Sequence, residues 1–196
     1  MDSPARERDG DAPPWNIVLV GFMGTGKSAI GRRLAKRLQT SFVDTDAWIA
    51  RRAGKSIPLI FAEDGEAAFR ALEREAARAY SRPLRRVVAT GGGMLAHPEN
   101  VEYLRQGGVL VGLEARPEII LARTAPWEGR PMLRTSANPL EAINRLLAER
   151  ASHYALADWR LDTSDLSLEA VTAEICERLP SLYQVAATRS SSVREP

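Results

Sequence analysis

The chain has 196 residues, 44% of them hydrophobic, which is enough for one domain with a buried core. Its 27 Lys and Arg against 25 Asp and Glu leave a net charge of +2, which is no electrostatic footprint for nucleic acid. No apolar run approaches the ~20 residues of a membrane helix, and the lone Cys176 excludes an intrachain disulfide and suits a reducing, cytoplasmic setting.

Residues 1–14 are charged and proline-containing, with no apolar stretch of the kind a signal peptide needs, and read as a flexible tail. A strand is expected over 17–21, followed by Gly21-Phe22-Met23-Gly24-Thr25-Gly26-Lys27-Ser28 and a helix over 27–39. The octet fits G-x-x-x-x-G-K-[ST] at every fixed position and stands between a strand and a helix. Its glycines turn backbone N–H groups toward phosphate oxygens, Lys27 can reach the β- and γ-phosphates, and the Ser28 hydroxyl can ligate Mg²⁺.

The next strand, 41–44, runs into Asp44-Thr45-Asp46 and a helix over 46–52. In extended chain the two carboxylates lean the same way. One near Mg²⁺ and one near an acceptor hydroxyl would suit phosphoryl transfer; capping of the following helix by Asp46 is the plainer reading. Helices over 57–63 and 66–82 follow, broken at Asp64-Gly65, and the second carries Phe69-Arg70. Arg70 suits a substrate carboxylate, or an i,i+4 surface pair with Glu66.

Strand 86–90 ends in Thr90-Gly91-Gly92-Gly93, a costly run understandable where a ligand approaches the backbone closely. Helix 98–106, strand 109–113 and helix 117–124, with Arg123 near its end, lead to the basic segment Glu128-Gly129-Arg130-Pro131-Met132-Leu133-Arg134. Such a loop could close over phosphates and exclude water. Helix 139–154 carries Arg150, strand 159–162 follows, and a last helix covers 168–179 before a serine-rich end. His97 and His153 have no partner at metal spacing and read as structural or surface residues. Cys176 reads as a small apolar residue. Alternating strands and helices predict an α/β fold, a parallel sheet covered on both faces. Ligands of such sheets bind beyond the carboxyl ends of the strands, where these motifs fall.

Taken together, the glycine loop, Asp44 and Asp46, Phe69-Arg70, Thr90-Gly91-Gly92-Gly93, Arg130-Pro131-Met132-Leu133 and Glu149-Arg150-Ala151 with Tyr154 resemble the shikimate kinase family from about Asn16 to Leu179. The resemblance implies a P-loop, nucleoside-monophosphate-kinase-like, three-layer α/β/α domain over 15–182 with a five-stranded parallel sheet in the order 2-3-1-4-5. A substrate-binding region would cover about 45–82 and a lid about 124–137, with flexible tails at 1–14 and 183–196. It implies ATP-dependent phosphorylation of the 3-hydroxyl of shikimate, on the chorismate route to aromatic amino acids.

Carried onto this chain, Gly24, Thr25, Gly26, Lys27, Ser28 and Ala29 would hold ATP, with Arg123 near its base or ribose and Arg130 closing over it. Ser28 and Asp44 would serve Mg²⁺. Asp46 would hold the shikimate hydroxyls and accept the proton, and Lys27, Asp46 and Arg130 form the expected catalytic set. Arg70 and Arg150 would clamp the carboxylate, with Gly91, Gly92 and Gly93 against the ring hydroxyls. The adenine-side loop would fall near Asp162-Thr163-Ser164. Ala29 departs from the threonine common at its position, and the interior of the expected lid is idiosyncratic. A gluconate-kinase-like polyol kinase, an adenylate-kinase-like enzyme and a non-catalytic shikimate or ATP sensor are the competing readings. No partner protein, nucleic acid or membrane is called for, and a monomer is expected.

Overall fold

The computed structural model describes residues 15–124 and 138–192. Five strands, β1 (Asn16–Val20), β2 (Ser41–Asp44), β3 (Arg86–Ala89), β4 (Gly108–Glu114) and β5 (Trp159–Asp162), form one parallel sheet in the order β2-β3-β1-β4-β5. The helices of the described residues are α1 (Lys27–Arg37), α2 (Thr45–Ala53), α3 (Ile57–Glu63), α4 (Gly65–Ala79), α5 (Pro98–Gly107), α6 (Pro117–Thr124), α7 (Pro139–Tyr154) and α8 (Leu168–Ser192). Among the described residues no helix is long and apolar enough to cross a membrane.

Every residue of β1 is buried, which is why it reads as a continuous apolar run. Its side chains still alternate between two layers. Ile17 and Leu19 pack with Val109 and Val111 against α1 and α8. Val18 and Val20 face Ile49 of α2, Ile60 of α3, Ala76 of α4 and Leu104 of α5. A third cluster joins Phe22 of the glycine loop to Ile120 of α6 and to Ile143, Leu146 and Tyr154 of α7. Asn16 is fully buried and satisfied on both sides of its amide. Its Nδ2 donates to the carbonyls of Tyr80 (3.2 Å) and Arg82 (2.8 Å), and its Oδ1 accepts from the N–H groups of Leu84 and Arg86, both at 3.1 Å. This pins the segment that leads into β3.

The end of the chain corrects the sequence reading. The last helix does not stop at 179 but runs through Pro180 to Ser192, so 183–192 is helix rather than tail. Proline removes one backbone bond, but Val171, Ile175, Leu179, Leu182 and Ala186 continue one buried stripe at helical spacing across it. Arg189 then ties the distal turn down, donating to Asp158 Oδ1 at 2.7 Å and to the Gly108 carbonyl at 2.8 Å.

Candidate active site

The order β2-β3-β1 sets three strand ends side by side, and each ends in one of the motifs. After β1, the glycine loop turns into α1 with Gly24 at φ +77° and Gly26 at φ +97°, a region that favours glycine. A Cβ on Gly24 would also come within 2.7 Å of Thr124 Cγ2. Thr25 closes the loop, its Oγ1 donating to the Phe22 carbonyl at 2.8 Å. Lys27 Nζ donates to the carbonyls of Gly21 and Phe22, both at 2.7 Å. The first turn of α1 has neither a side-chain cap nor an acidic residue. Its N–H groups and dipole therefore favour an anion. Ala29 is exposed there, on the wall of the cavity.

After β2, the two carboxylates divide the work differently from the plainer expectation. Asp44, not Asp46, caps α2, its Oδ1 accepting from the N–H groups of Asp46 (3.1 Å) and Ala47 (3.3 Å). Its other oxygen, Oδ2, accepts from Ser28 Oγ at 2.8 Å. Asp46 is open to the cavity but hemmed in by protein. That partial desolvation is the largest cause raising its carboxyl to about 6; Asp44 and Glu73 add to it, and Lys27 opposes it. The Asp46 side of the cavity is open, and the residue is exposed.

After β3, each glycine of the turn meets a different candidate side chain. A Cβ on Gly91 would overlap Asp46 Oδ1, one on Gly92 would sit 3.3 Å from Arg150 Nη1, and one on Gly93 would sit 2.8 Å from Arg70 Nη1. Any larger residue would push these groups out of place, which accounts for the triple glycine.

Arg70 makes the expected pair with Glu66, Nη2 to Oε1 at 2.9 Å, and a second pair that the spacing did not announce. Its Nη1 donates to Glu73 Oε2 at 2.6 Å, and the Glu73 side chain is 1% exposed. Glu73 shares the buried face of α4 with Phe69, Ala76 and Ala77. A carboxylate at an apolar position of that helical stripe was the readable signal. Arg150 lies over the Phe22 ring at 5.7 Å, and its neighbour Tyr154 donates to the Gly92 carbonyl at 2.9 Å.

On the opposite wall, Arg123 Nη2 donates to the Thr163 carbonyl at 2.6 Å and its Nη1 to Thr163 Oγ1 at 3.0 Å. Arg123 is thus brought to the loop expected on the adenine side. Arg130 and all but the first residue of the lid expected over about 124–137 lie outside the described residues.

A cavity of about 580 Å³ joins Gly24, Lys27, Ser28, Asp44, Asp46 and Arg123. An apolar groove of about 600 Å³ along α5, lined by Leu95, Val101 and Leu156, lacks the loop's N–H cradle. Among the described residues no cluster of three or more His, Cys, Asp or Glu could hold a metal alone.

A phosphate cradle, a hydroxyl–carboxylate pair beside it and a carboxyl raised into the range of a general base define a P-loop kinase for a small hydroxylated acceptor. Known proteins place it further. The shikimate kinase family model matches residues 23–180, and the chain belongs to that family. It is 49% identical over 164 residues to the shikimate kinase of Desulforudis audaxviator, covering 84% of this chain and 86% of that protein. Against the shikimate kinase of Geobacter sulfurreducens the identity is 48% over 160 residues, covering 82% and 88%. The solved structure of the shikimate kinase from Acinetobacter baumannii in complex with shikimate superposes with a TM-score of 0.78 at 36% identity, covering 85% of this chain and 93% of that one. The Aquifex aeolicus shikimate kinase superposes at 0.72 and 34%, covering 84% and 96%.

Proposed function

We infer that the chain transfers the γ-phosphoryl group of ATP to the 3-hydroxyl of shikimate, giving shikimate 3-phosphate and ADP on the route to chorismate and the aromatic amino acids. The observation that carries the reading is the glycine turn with Asp46 on one side and Arg70 and Arg150 on the other. Shikimate is a rigid ring with a carboxylate at one end and hydroxyls at the other. Two guanidiniums suit the first and a single carboxylate the second. A phosphorylated acceptor would be repelled by Asp46.

In this reading the glycine loop, from Gly24 to Ala29, holds the ATP phosphates, and Arg123 with Thr163 borders its base. Lys27 stabilises charge on the transferred group. Ser28 Oγ and Asp44 Oδ2, already paired, would hold Mg²⁺, which when bound offsets phosphate charge. Asp46 orients the acceptor hydroxyl and takes its proton. Near neutral pH a carboxyl raised to about 6 is ionised yet still basic enough to do so. The backbone of Gly91, Gly92 and Gly93 faces the ring, and Arg130 belongs to the nucleotide side. A monomer is the proposed state, and the lone Cys176 supports a reducing cytoplasm.

ADP release coupled to a reporter, with shikimate, D-gluconate and AMP as alternative acceptors, tests the assignment. Turnover with shikimate alone is expected. Faster turnover with gluconate or AMP would overturn it.

A further inference from the structure

Two hydrogen bonds tie the glycine turn to the helices that carry Asp46 and Arg150. The Gly91 N–H donates at 3.0 Å to Oγ1 of Thr45, a fully buried residue between Asp44 and Asp46. The Tyr154 hydroxyl donates at 2.9 Å to the Gly92 carbonyl. Tyr154 follows Arg150 by one helical turn on α7, so both side chains reach the same spot. Arg150 Nη1 donates to that same carbonyl as well, in a longer bond of 3.4 Å. One acceptor thus faces two donors, and the neutral phenol holds the shorter bond.

We propose that Tyr154 is a positioning residue: by supplying the short bond to the Gly92 carbonyl it keeps the bond from Arg150 long and leaves the guanidinium available to the substrate carboxylate. The proposal rests on the reading of Arg150 as a carboxylate ligand. The Tyr154 ring is 8% exposed and packs with Phe22, Ile143 and Leu146, so its hydroxyl is delivered from a fixed frame. Burial raises the phenol above its ordinary range, opposed by a side-chain hydrogen bond from Arg150 and by its charge, and it remains a donor at neutral pH. The Phe22 ring beneath Arg150 fixes the guanidinium in one direction. Without the phenol oxygen, the Gly92 carbonyl loses its short donor. The guanidinium, a stronger donor because it is charged, closes the 3.4 Å gap and turns away from the substrate.

Tyr154→Phe removes only the oxygen. Steady-state kinetics of this variant should show KM for shikimate raised by about 3- to 10-fold, the worth of one net hydrogen bond. KM for ATP and the melting temperature should stay at their wild-type values, and kcat should stay within about twofold. A shikimate analogue whose carboxylate is reduced to a hydroxymethyl group cannot use Arg150 as an anion clamp, and its KM should not respond to Tyr154→Phe. An unmoved shikimate KM, or an equal rise for shikimate and the analogue, would overturn the proposal. So would a lowered melting temperature with all parameters moving together, which makes Tyr154 a packing residue only. Arg150→Lys, assayed in parallel, separates the two readings. If it leaves shikimate KM unmoved, the carboxylate assignment itself fails. If it raises KM while Tyr154→Phe does not, only the positioning role fails.

Discussion

Glu73 Oε2 lies 2.6 Å from Arg70 Nη1 in a position with 1% of the side chain exposed. A buried carboxylate there fixes the guanidinium that the substrate would meet, and it also adds negative charge around Asp46.

Glu73→Gln keeps an acceptor oxygen for Arg70 and loses the charge. The expected result is a rise in shikimate KM of about 3- to 10-fold with ATP binding unchanged, since only Arg70 is loosened. Because Glu73 raises the Asp46 carboxyl, the acid limb of kcat/KM should move to lower pH. A limb that stays in place would separate the two carboxylates.

Arg70→Lys tests the fork itself. An ammonium cannot bond two carboxylate oxygens in plane, and shikimate binding should weaken by about 1.5–3 kcal/mol. Calorimetric titration of shikimate and of ATP, each alone, should show the loss for shikimate only. Equal losses would point to a disturbed fold or a nucleotide role.

Lys27→Met should lower turnover by ~10²-fold or more, because the charge that follows the transferred phosphoryl is gone. Lys27 sits at the loop–helix junction, bonded to the Gly21 and Phe22 carbonyls, and is not a core residue. Its far-ultraviolet dichroism and melting curve should match the wild type.

The pH profile reads Asp46 directly. As base it must be ionised, so kcat/KM for shikimate should fall ~tenfold per pH unit below its acid limb, which is expected near 6 in the free enzyme. Stability runs the other way. A folded pKa raised from 3.8 to about 6 favours the protonated form in the fold. Its contribution is full below 3.8 and lost as pH rises through 6. Asp46→Asn should therefore melt higher than wild type at pH 8 and alongside it at pH 4.

The motifs and the alternation of strands and helices were legible because their signals are local or repetitive: a glycine loop between strand and helix, apolar runs for buried strands, Pro near helix starts; the sheet order came only with the family resemblance. β2, β5, α3, α6 and α7 fall on the expected residues. The misses arise where tertiary packing decides. Pro180 reads as a helix end, yet Leu182 and Ala186 bury beyond it and carry the helix on. The choice of cap between Asp44 and Asp46 depends on where α2 begins, at Thr45 rather than at the expected residue 46. Glu73 and Thr45 touch the site only through partners 3 and 46 residues away, Arg70 and Gly91 respectively, and only the first spacing is helical.

The most direct measurement is the turnover of Asp46→Asn with saturating ATP, Mg²⁺ and shikimate, alongside its ATP affinity. Asparagine keeps the size and one acceptor oxygen but cannot take a proton, so turnover should fall by ~10²-fold or more. ATP affinity should hold, because Lys27 and Ser28 are untouched. Asp44 rather than Asp46 caps α2, so loss of the cap cannot explain the defect. Near-normal turnover in Asp46→Asn would remove the proposed base and contradict the account.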